Sequence, residues 1–378
     1  MTEITSPGSE NTHLERRVHD KGVLPQKTLS VVISNYNHAR YLPVALQAVL
    51  SQSCRPMEVI VIDDCSTDNS VEVIEEFVRR DPIIRLYRNE QNKGVIFSTN
   101  RGLGLATGDY VYFGAADDRI CPGLFEKSMN LLGKHPEAGL CSALLQLIGA
   151  NGEDKGWIST PVISEKACFL PPRKVIADLT AYGFWFTGQT IIYKRDAIVN
   201  DTDGFLQELA HRSDHFVDYV VAAKHGACFI PEVLATYRIL ASGYAETVFD
   251  NEELSRSTFT RLLELMRSDK YAPLFPESFV SSLQDRGWYD LEVRSLRRIF
   301  QSQMNFIDRL RALRPNASWL DRVFFFLLTV LTFVGSAVAK IYLWHRRINL
   351  DLRWVVMKFK TRFSKHAQYS FDQKIICL

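Results

Sequence analysis

Aspartate pairs stand at two places in the first third of the chain, Asp63-Asp64 and Asp117-Asp118, and a further acid, Asp214, lies between Ser213 and His215. Carboxylate oxygens are ligands for a hard divalent cation, and such a cation neutralises a diphosphate as it departs. A single carboxylate near a helix start suits another task, deprotonation of a hydroxyl within hydrogen-bond reach. Turns and helix caps use the same residues without any chemistry. What decides between these readings is the set of elements that position the acids.

Residues 29–34 (LSVVIS) form a short apolar, β-rich run, and residues 41–52 follow with Leu42, Ala45, Leu46 and Val49 at helical spacing. The pattern repeats with a strand at 58–62 (EVIVI), a helix capped by Thr67 or Asp68 that runs through Val71, Ile74 and Phe77, and a third strand at 84–87. Val95, Thr99 and Leu103 share a helical face over 94–106, and 109–113 (DYVYF) returns to strand. This alternation predicts an α/β fold whose mostly parallel sheet is flanked by helices. In such sheets ligands sit beyond the carboxyl ends of the strands, where Asn35 to Asn37, Asp63-Asp64 and Asp117-Asp118 all fall.

Beyond Asp118 the pattern predicts a helix over 122–132, a strand over 140–148 and a turn over 151–155. A loop entering a strand follows at 184–193, then a helix over 213–223 capped by Ser213, a strand over 229–238, and helical segments from 251 onward.

With 378 residues, 46% of them apolar and 23% charged, the chain can bury a large core with a substantial appendage. Seven scattered cysteines form no metal-ligand pair or disulfide framework, which fits a reducing compartment. The first 27 residues are polar, carry no secretory pattern, and read as a loose arm. The net charge of +2 conceals a basic carboxyl-terminal region behind a more acidic body.

That basic region surrounds the apolar run 323–339, and 323–344 as a helix is about 33 Å long, enough to match a bilayer core. Phe324, Phe325 and Phe326 beside Leu327 and Leu328 leave no polar face, so membrane contact is expected there. With no interleaving of aromatic and basic residues, the charge points away from nucleic acid. Oligomeric state is not legible.

In order, the chain carries VVISNYN, VIVIDDCSTDNS and NKGVIFSTNRGLGLATGDYVYFGAADD. This set resembles the family 2 glycosyltransferases of the GT-A fold, a Rossmann-like nucleotide-binding architecture, over about residues 29–240. The family pattern is a strand ending P-T-Y-N, then D-D-G-S-T-D, N-x-G, G-D-Y and a closing D-A-D-D; four of the five blocks match closely. The departure is Ala115, which stands where the first Asp of the closing motif usually stands.

The resemblance implies inverting transfer from a nucleoside diphosphate-sugar, expected to be UDP-linked, to a hydroxyl of a glycan or lipid-linked glycan. Asp64, ahead of Asp63, would accept the nucleobase N–H. Ser34, Asn35 and Tyr36 would line the same pocket, with Lys93, Asn100, Asp117 and Asp118 completing the donor-binding set. Asp117 would hold Mg²⁺ or Mn²⁺, with less help because of Ala115. Asp214, where the family has an acid at an E-D-W-like helix start, is the expected base, with Glu208 and Asp218 as competitors. Trp185, Gln189 and His215 are candidates for the acceptor or sugar pocket.

The implied organisation is an arm at 1–27 and a GT-A domain at 28–245, split into a donor-nucleotide half (28–118) and an acceptor half (119–245). A helical extension (246–320) and an apolar helix with basic tail (321–378) follow. Because nucleotide sugars are cytoplasmic in the resembling enzymes, the expected location is the cytoplasmic side of the plasma membrane. Two rival readings remain: transfer to a polyprenyl phosphate, which needs no base, and a catalytically silent GT-A binding subunit, suggested by Ala115.

Overall fold

The computed structural model describes residues 27–157, 160–240, 243–244, 247–248, 251–288, 290–291 and 294. Strand β1 (Leu29–Asn35) pairs in parallel with β2 (Glu58–Asp63) on one side and β4 (Tyr110–Ala115) on the other. β2 pairs in parallel with β3 (Ile84–Arg88). The period of two along a strand then divides the core. Val31, Ile33, Val59 and Val61 meet Leu42, Leu46 and Val49 of α1 (Leu42–Leu50) and Ile74 and Phe77 of α2 (Ser70–Arg80). Val32, Ile60 and Ile62 belong to a second cluster, with Leu103 of α3 (Val95–Leu105). Both faces are covered, which is why these strands read as unbroken Val/Ile runs.

α3 lies close against the sheet because Gly102 carries no side chain: a Cβ there would stand 2.2 Å from Val32 Cγ1. The chain runs outward from β1 through β2 to β3, and α3 then returns it to β4 on the other side of β1. The carboxyl ends of β1 and β4 therefore flank a topological switch point, the usual ligand crevice of such sheets.

The second half continues the same sheet in the order β3-β2-β1-β4-β9-β6-β10-β5. After β5 (Arg119–Ile120) come α4 (Leu124–Lys134), β6 (Leu140–Ile148), β7 (Asp154–Trp157) and β8 (Cys168–Leu170). They are followed by α5 (Pro172–Tyr182), β9 (Ile192–Lys194), α6 (Arg195–Asp201), α7 (Ser213–His225), β10 (Ala227–Arg238) and α8 (Glu252–Arg267). β9 runs antiparallel to both β4 and β6, so the sheet is mixed at its centre. β10 is parallel to β6, with register shifts between Ile230 and Ala235, where Pro231 cannot donate to a ladder.

α5, α6 and β8 have no counterpart in the sequence pattern. Ser213 does not cap α7: it is the first helical residue, Arg212 occupies the cap position, and no side-chain cap bond forms. α8 is capped, Asn251 accepting from the Leu254 amide at 3.0 Å. Its Phe259, Leu262, Leu263 and Met266 join the α7 cluster around Phe216 and Val220, so this part of the expected extension shares the sheet's core. The expected arm up to residue 26 and the apolar run at 323–344 lie outside the described residues. Among the described residues no helix is long and apolar enough to cross a membrane.

Glu58 fastens the opposite end of the sheet. It is buried and accepts from Ser30 Oγ (2.7 Å), Thr107 N (2.8 Å) and Thr107 Oγ1 (2.7 Å), with Arg85 Nη1 at 3.3 Å. Burial opposes its ionisation, yet these bonds and the Arg85 charge hold the carboxyl below its ordinary value near 4.5. A folded value below the unfolded one contributes stability above the unfolded value that is lost as pH falls through the folded value. Glu58→Gln is expected to cost about 1–3 kcal/mol at neutral pH, and its urea midpoint should fall less steeply than the wild type's through the range below pH 4.5. Parallel acid profiles would overturn this account.

Candidate active site

The first wall is made where β1 and β2 end. Asn35 Nδ2 donates to Asp63 Oδ1 (2.9 Å) and lies 3.1 Å from Ser66 Oγ, while the Ser66 amide donates to Asp63 Oδ2 (3.1 Å). Asp63 is 0% exposed. Asp64, 3% exposed, accepts from Asn89 Nδ2 (2.6 Å) and from the amides of Lys93 (2.9 Å) and Gly94 (2.8 Å). Both carboxylates of the pair are thus committed inside the protein, one to the loop after β1 and the other to the loop before α3. Between them Cys65 holds φ 62°, left-handed backbone where the family pattern carries glycine.

The second wall is the turn after β4. Asp118 is buried, its Oδ1 accepts the Arg238 amide at 2.7 Å, its Oδ2 has no hydrogen-bond partner among the described residues, and the Gln189 side chain lies beside it. Burial and the neighbouring Asp117 push the Asp118 carboxyl well above the usual carboxylate range, against the opposing influence of Arg238 and Gln189. Arg238 also donates through Nε to the Asp117 carbonyl (2.9 Å) and through Nη1 to the carbonyls of Gly149 (2.9 Å) and Ala150 (3.1 Å). Its guanidinium lies 4.5 Å from the centre of the Tyr41 ring. The Asp117 carboxylate accepts no hydrogen bond among the described residues, and His38 Nδ1 stands 3.9 Å from its Oδ1.

The third wall carries Asp214. The turn Gly188–Thr190 is anchored on β6: Thr187 Oγ1 donates to Ala143 O (2.6 Å), and Thr190 Oγ1 accepts the Ala143 amide (2.9 Å). Tyr112 Oη donates to the Gln189 carbonyl at 3.1 Å. A Cβ on Gly188 would stand 3.7 Å from Asp214 Oδ2, so the candidate base flanks the turn whose next residue, Gln189, lies beside Asp118. Asp214 sits in the first turn of α7, where unpaired amides favour a carboxylate, and the His215 amide donates to its Oδ1 at 2.8 Å. A strained residue, Ala210 at φ 45°, precedes this helix.

The competing acids are otherwise engaged. Asp218 is buried and takes a 2.6 Å hydrogen bond from Tyr193 Oη, and burial followed by the Asp214 charge pushes its carboxyl well up, toward the neutral form. Glu208 pairs with Arg261 at 3.1 Å on the surface. Desolvation drives His211 down to about 3 and lowers His215, whose ring lies 4.1 Å from that of Phe184. Both imidazoles are therefore neutral packing groups near Asp214.

Several predicted contact residues turn out to be framework. Trp185 is 0% exposed against Phe186 and Phe229 and offers no face to a sugar. Asn100 spends its amide on the backbone of Phe205, donating to its carbonyl (2.7 Å) and accepting from its amide (2.9 Å), so it ties α3 to a loop instead of meeting the donor. Asn35, Asp63, Asp64 and Asp118 are buried and position loops and turns. Ser34 reaches Thr99 at 3.3 Å. Tyr36, 42% exposed, faces the open side, and Lys93 lies over the Phe97 ring at 4.6 Å. His38 and the clamping role of Arg238 escaped the sequence reading; the histidine right after N-Y-N and the arginine closing P-E-V-L-A-T-Y-R were the available signals.

Among the described residues no group of three or more His, Cys, Asp or Glu forms a metal cage. Asp117 fits a cation that keeps waters and takes further oxygens from a substrate diphosphate.

Residues 30–184 match the family model described as Glycosyl transferase family 2, so this segment is similar to the domains of that family. An uncharacterized glycosyltransferase of Escherichia coli is 30% identical over 185 residues, 49% of this chain and 53% of the relative. Another from Nostoc is 36% identical over 141 residues, 36% of this chain and 43% of that protein. The chain thus spans about half the length of the curated relatives it matches. TarS 1–349 of S. aureus in complex with UDP-GlcNAc superposes with a TM-score of 0.54 at 19% identity, covering 69% of this chain and 73% of that one. A mannosyltransferase from Pyrobaculum calidifontis in complex with GDP-Man and Mn²⁺ gives 0.51 at 17% identity, covering 90% and 88%. The fold is accordingly GT-A.

The pinning by Arg238 makes a prediction of its own. Arg238→Ala removes donors from three carbonyls and should cost about 1–3 kcal/mol in chemical denaturation, with faster amide exchange around 117–118 and 149–151. Unchanged exchange there would show that the clamp is not needed.

Proposed function

We propose that the chain transfers a sugar from a UDP-linked donor to a hydroxyl of a glycan or lipid-linked glycan, inverting the anomeric carbon. The observation that carries this reading is the shared wall at Gly188-Gln189, which sets Asp214 on one side and the Asp117-Asp118 turn on the other. The nucleoside lies against Tyr36 and the loops that Asp63 and Asp64 hold in place. Where a divalent cation is bound, Asp117 is its carboxylate ligand and its charge offsets that of the diphosphate.

Asp214 accepts the proton of the acceptor hydroxyl as that oxygen bonds to the anomeric carbon. The bond from that carbon to the diphosphate oxygen breaks, and the nucleoside diphosphate leaves with the electron pair. The structural neighbours carrying UDP-GlcNAc and GDP-Man with Mn²⁺ support a nucleotide-sugar donor. Residues 323–344, from their sequence alone, would bring this chemistry to the cytoplasmic face of a membrane, where lipid-linked acceptors reside. Flotation of the full chain with anionic liposomes, absent after removal of 321–378, is the expected result; equal flotation of both would refute it.

Nucleotide release from UDP- and GDP-sugars, with Mn²⁺ or Mg²⁺ and with chelator, tests the donor. UDP release that depends on metal is expected. Asp214→Asn should lower kcat by about 10²–10⁴-fold with KM for donor little changed. A full rate in that variant would point instead to a phosphate acceptor that needs no base. Absence of turnover with every donor and metal would leave a silent binding subunit.

A further inference from the structure

Ala115 removes a carboxylate from the acidic turn, and a side chain that can ligate a metal approaches Asp117 from another strand end. His38 follows the carboxyl end of β1, and β1 is the hydrogen-bonded neighbour of β4, with Ser34 opposite Ala115. Its Nδ1 lies 3.9 Å from Asp117 Oδ1, across the switch point. We propose that His38 is a second protein ligand of the cation held by Asp117, supplying an imidazole nitrogen in place of the carboxylate that Ala115 lacks. This inference rests on the metal-assisted reading given above.

Three features carry it. First, the spacing suits a shared coordination shell: ligands about 2.1 Å from a hard cation stand about 3.0 Å apart when adjacent and 4.2 Å when opposite, and 3.9 Å falls between these limits. Second, both groups are partly open, with side chains 30% and 16% exposed, whereas Asp63, Asp64 and Asp118 are buried and hold hydrogen bonds. Third, the backbone on either side of each ligand is pinned. Asn37 N donates to Ser66 Oγ (3.0 Å), Asn37 Oδ1 accepts the Thr67 amide (2.7 Å), and Ala39 N donates to Asp68 Oδ2 (3.0 Å). The Asp117 carbonyl accepts from Arg238 Nε, and the Asp118 carboxylate accepts the Arg238 amide. The two uncommitted side chains are thus held by committed neighbours, the arrangement that preorganises ligands.

A mixed nitrogen and oxygen pair has a consequence for metal choice. Mg²⁺ prefers oxygen ligands and holds its waters, whereas an imidazole adds more to the binding of a transition metal. Mn²⁺ should therefore bind more tightly than Mg²⁺, and the difference should shrink in His38→Asp.

The test is Mn²⁺ binding by the full chain in the presence of UDP, followed through the electron paramagnetic resonance of free Mn²⁺, with pulsed detection of nitrogen coupled to the bound ion. Wild type should bind one Mn²⁺ and show imidazole nitrogen coupling. Loss of even an outer-shell partner costs about 10–100-fold in metal affinity, so His38→Ala should weaken Mn²⁺ at least tenfold, abolish the nitrogen coupling and leave the thermal midpoint near that of wild type. His38→Asp should restore Mn²⁺ binding without the nitrogen signal, which keeps the test valid if the alanine variant folds poorly. Mn²⁺ binding by His38→Ala equal to wild type, or wild type without nitrogen coupling, overturns the role of His38 alone. Failure of wild type and Asp117→Asn alike to bind Mn²⁺ with UDP overturns the metal-assisted reading together with it.

Discussion

Two adjacent carboxylates at the end of a fully buried strand must be satisfied or the fold fails, because an uncompensated buried charge costs several kcal/mol. Asp63 and Asp64 meet that demand by turning opposite ways. One gathers Asn35 and the Ser66 amide, while the other gathers Asn89 and the amides of Lys93 and Gly94. The loops that border the crevice are shaped by this requirement before any ligand arrives. The acids are the frame of the donor side, and the residues left open to a ligand are their neighbours.

The acceptor side is joined to this frame through β10 and the turn after Thr187. Arg238 ends β10 and ties the acidic turn, the 149–150 turn and the Tyr41 ring into one unit. The reversed strand β9, between β4 and β6, follows Gly188 and Gln189, which lie beside Asp214 and Asp118 respectively. Burial pushes the Asp218 carboxyl well up and the His211 and His215 imidazoles down, so the charged form is disfavoured at all three of these neighbours in the Asp214 region.

The parallel half was legible because β1 to β4 are covered on both faces and spell out their burial in Val and Ile runs, with Leu and Ile at helical spacing between them. The strand ends were legible for the same reason. Which polar side chain would face a ligand was not, since Asp64, Asn100 and Trp185 look alike in sequence whether they line a pocket or brace it; only the partners that use up their donors, acceptors or faces distinguish the cases. β8 and α6 escaped because they are 3 and 7 residues long, too short for periodicity to register. The reversal of β9 depends on pairing with β4 and β6, contacts that no local pattern encodes. His38 escaped because its meaning lies in a residue 79 positions away in the chain, a distance closed by the pairing of β1 with β4.

The seam at Gly188-Gln189 also bears on how such a protein can change over generations. The loops braced by Asp63 and Asp64 are held by partners within the donor half, and the side chains that cross to the other half, Arg238, Asn100 and Tyr112 among them, bond elsewhere. Substitutions that reshape the surface around α7 can therefore accumulate while the loops braced by Asp63 and Asp64 stay as they are. A lineage built on this frame can be retargeted to a new acceptor by drift on one bank of the crevice, with the other bank inherited intact.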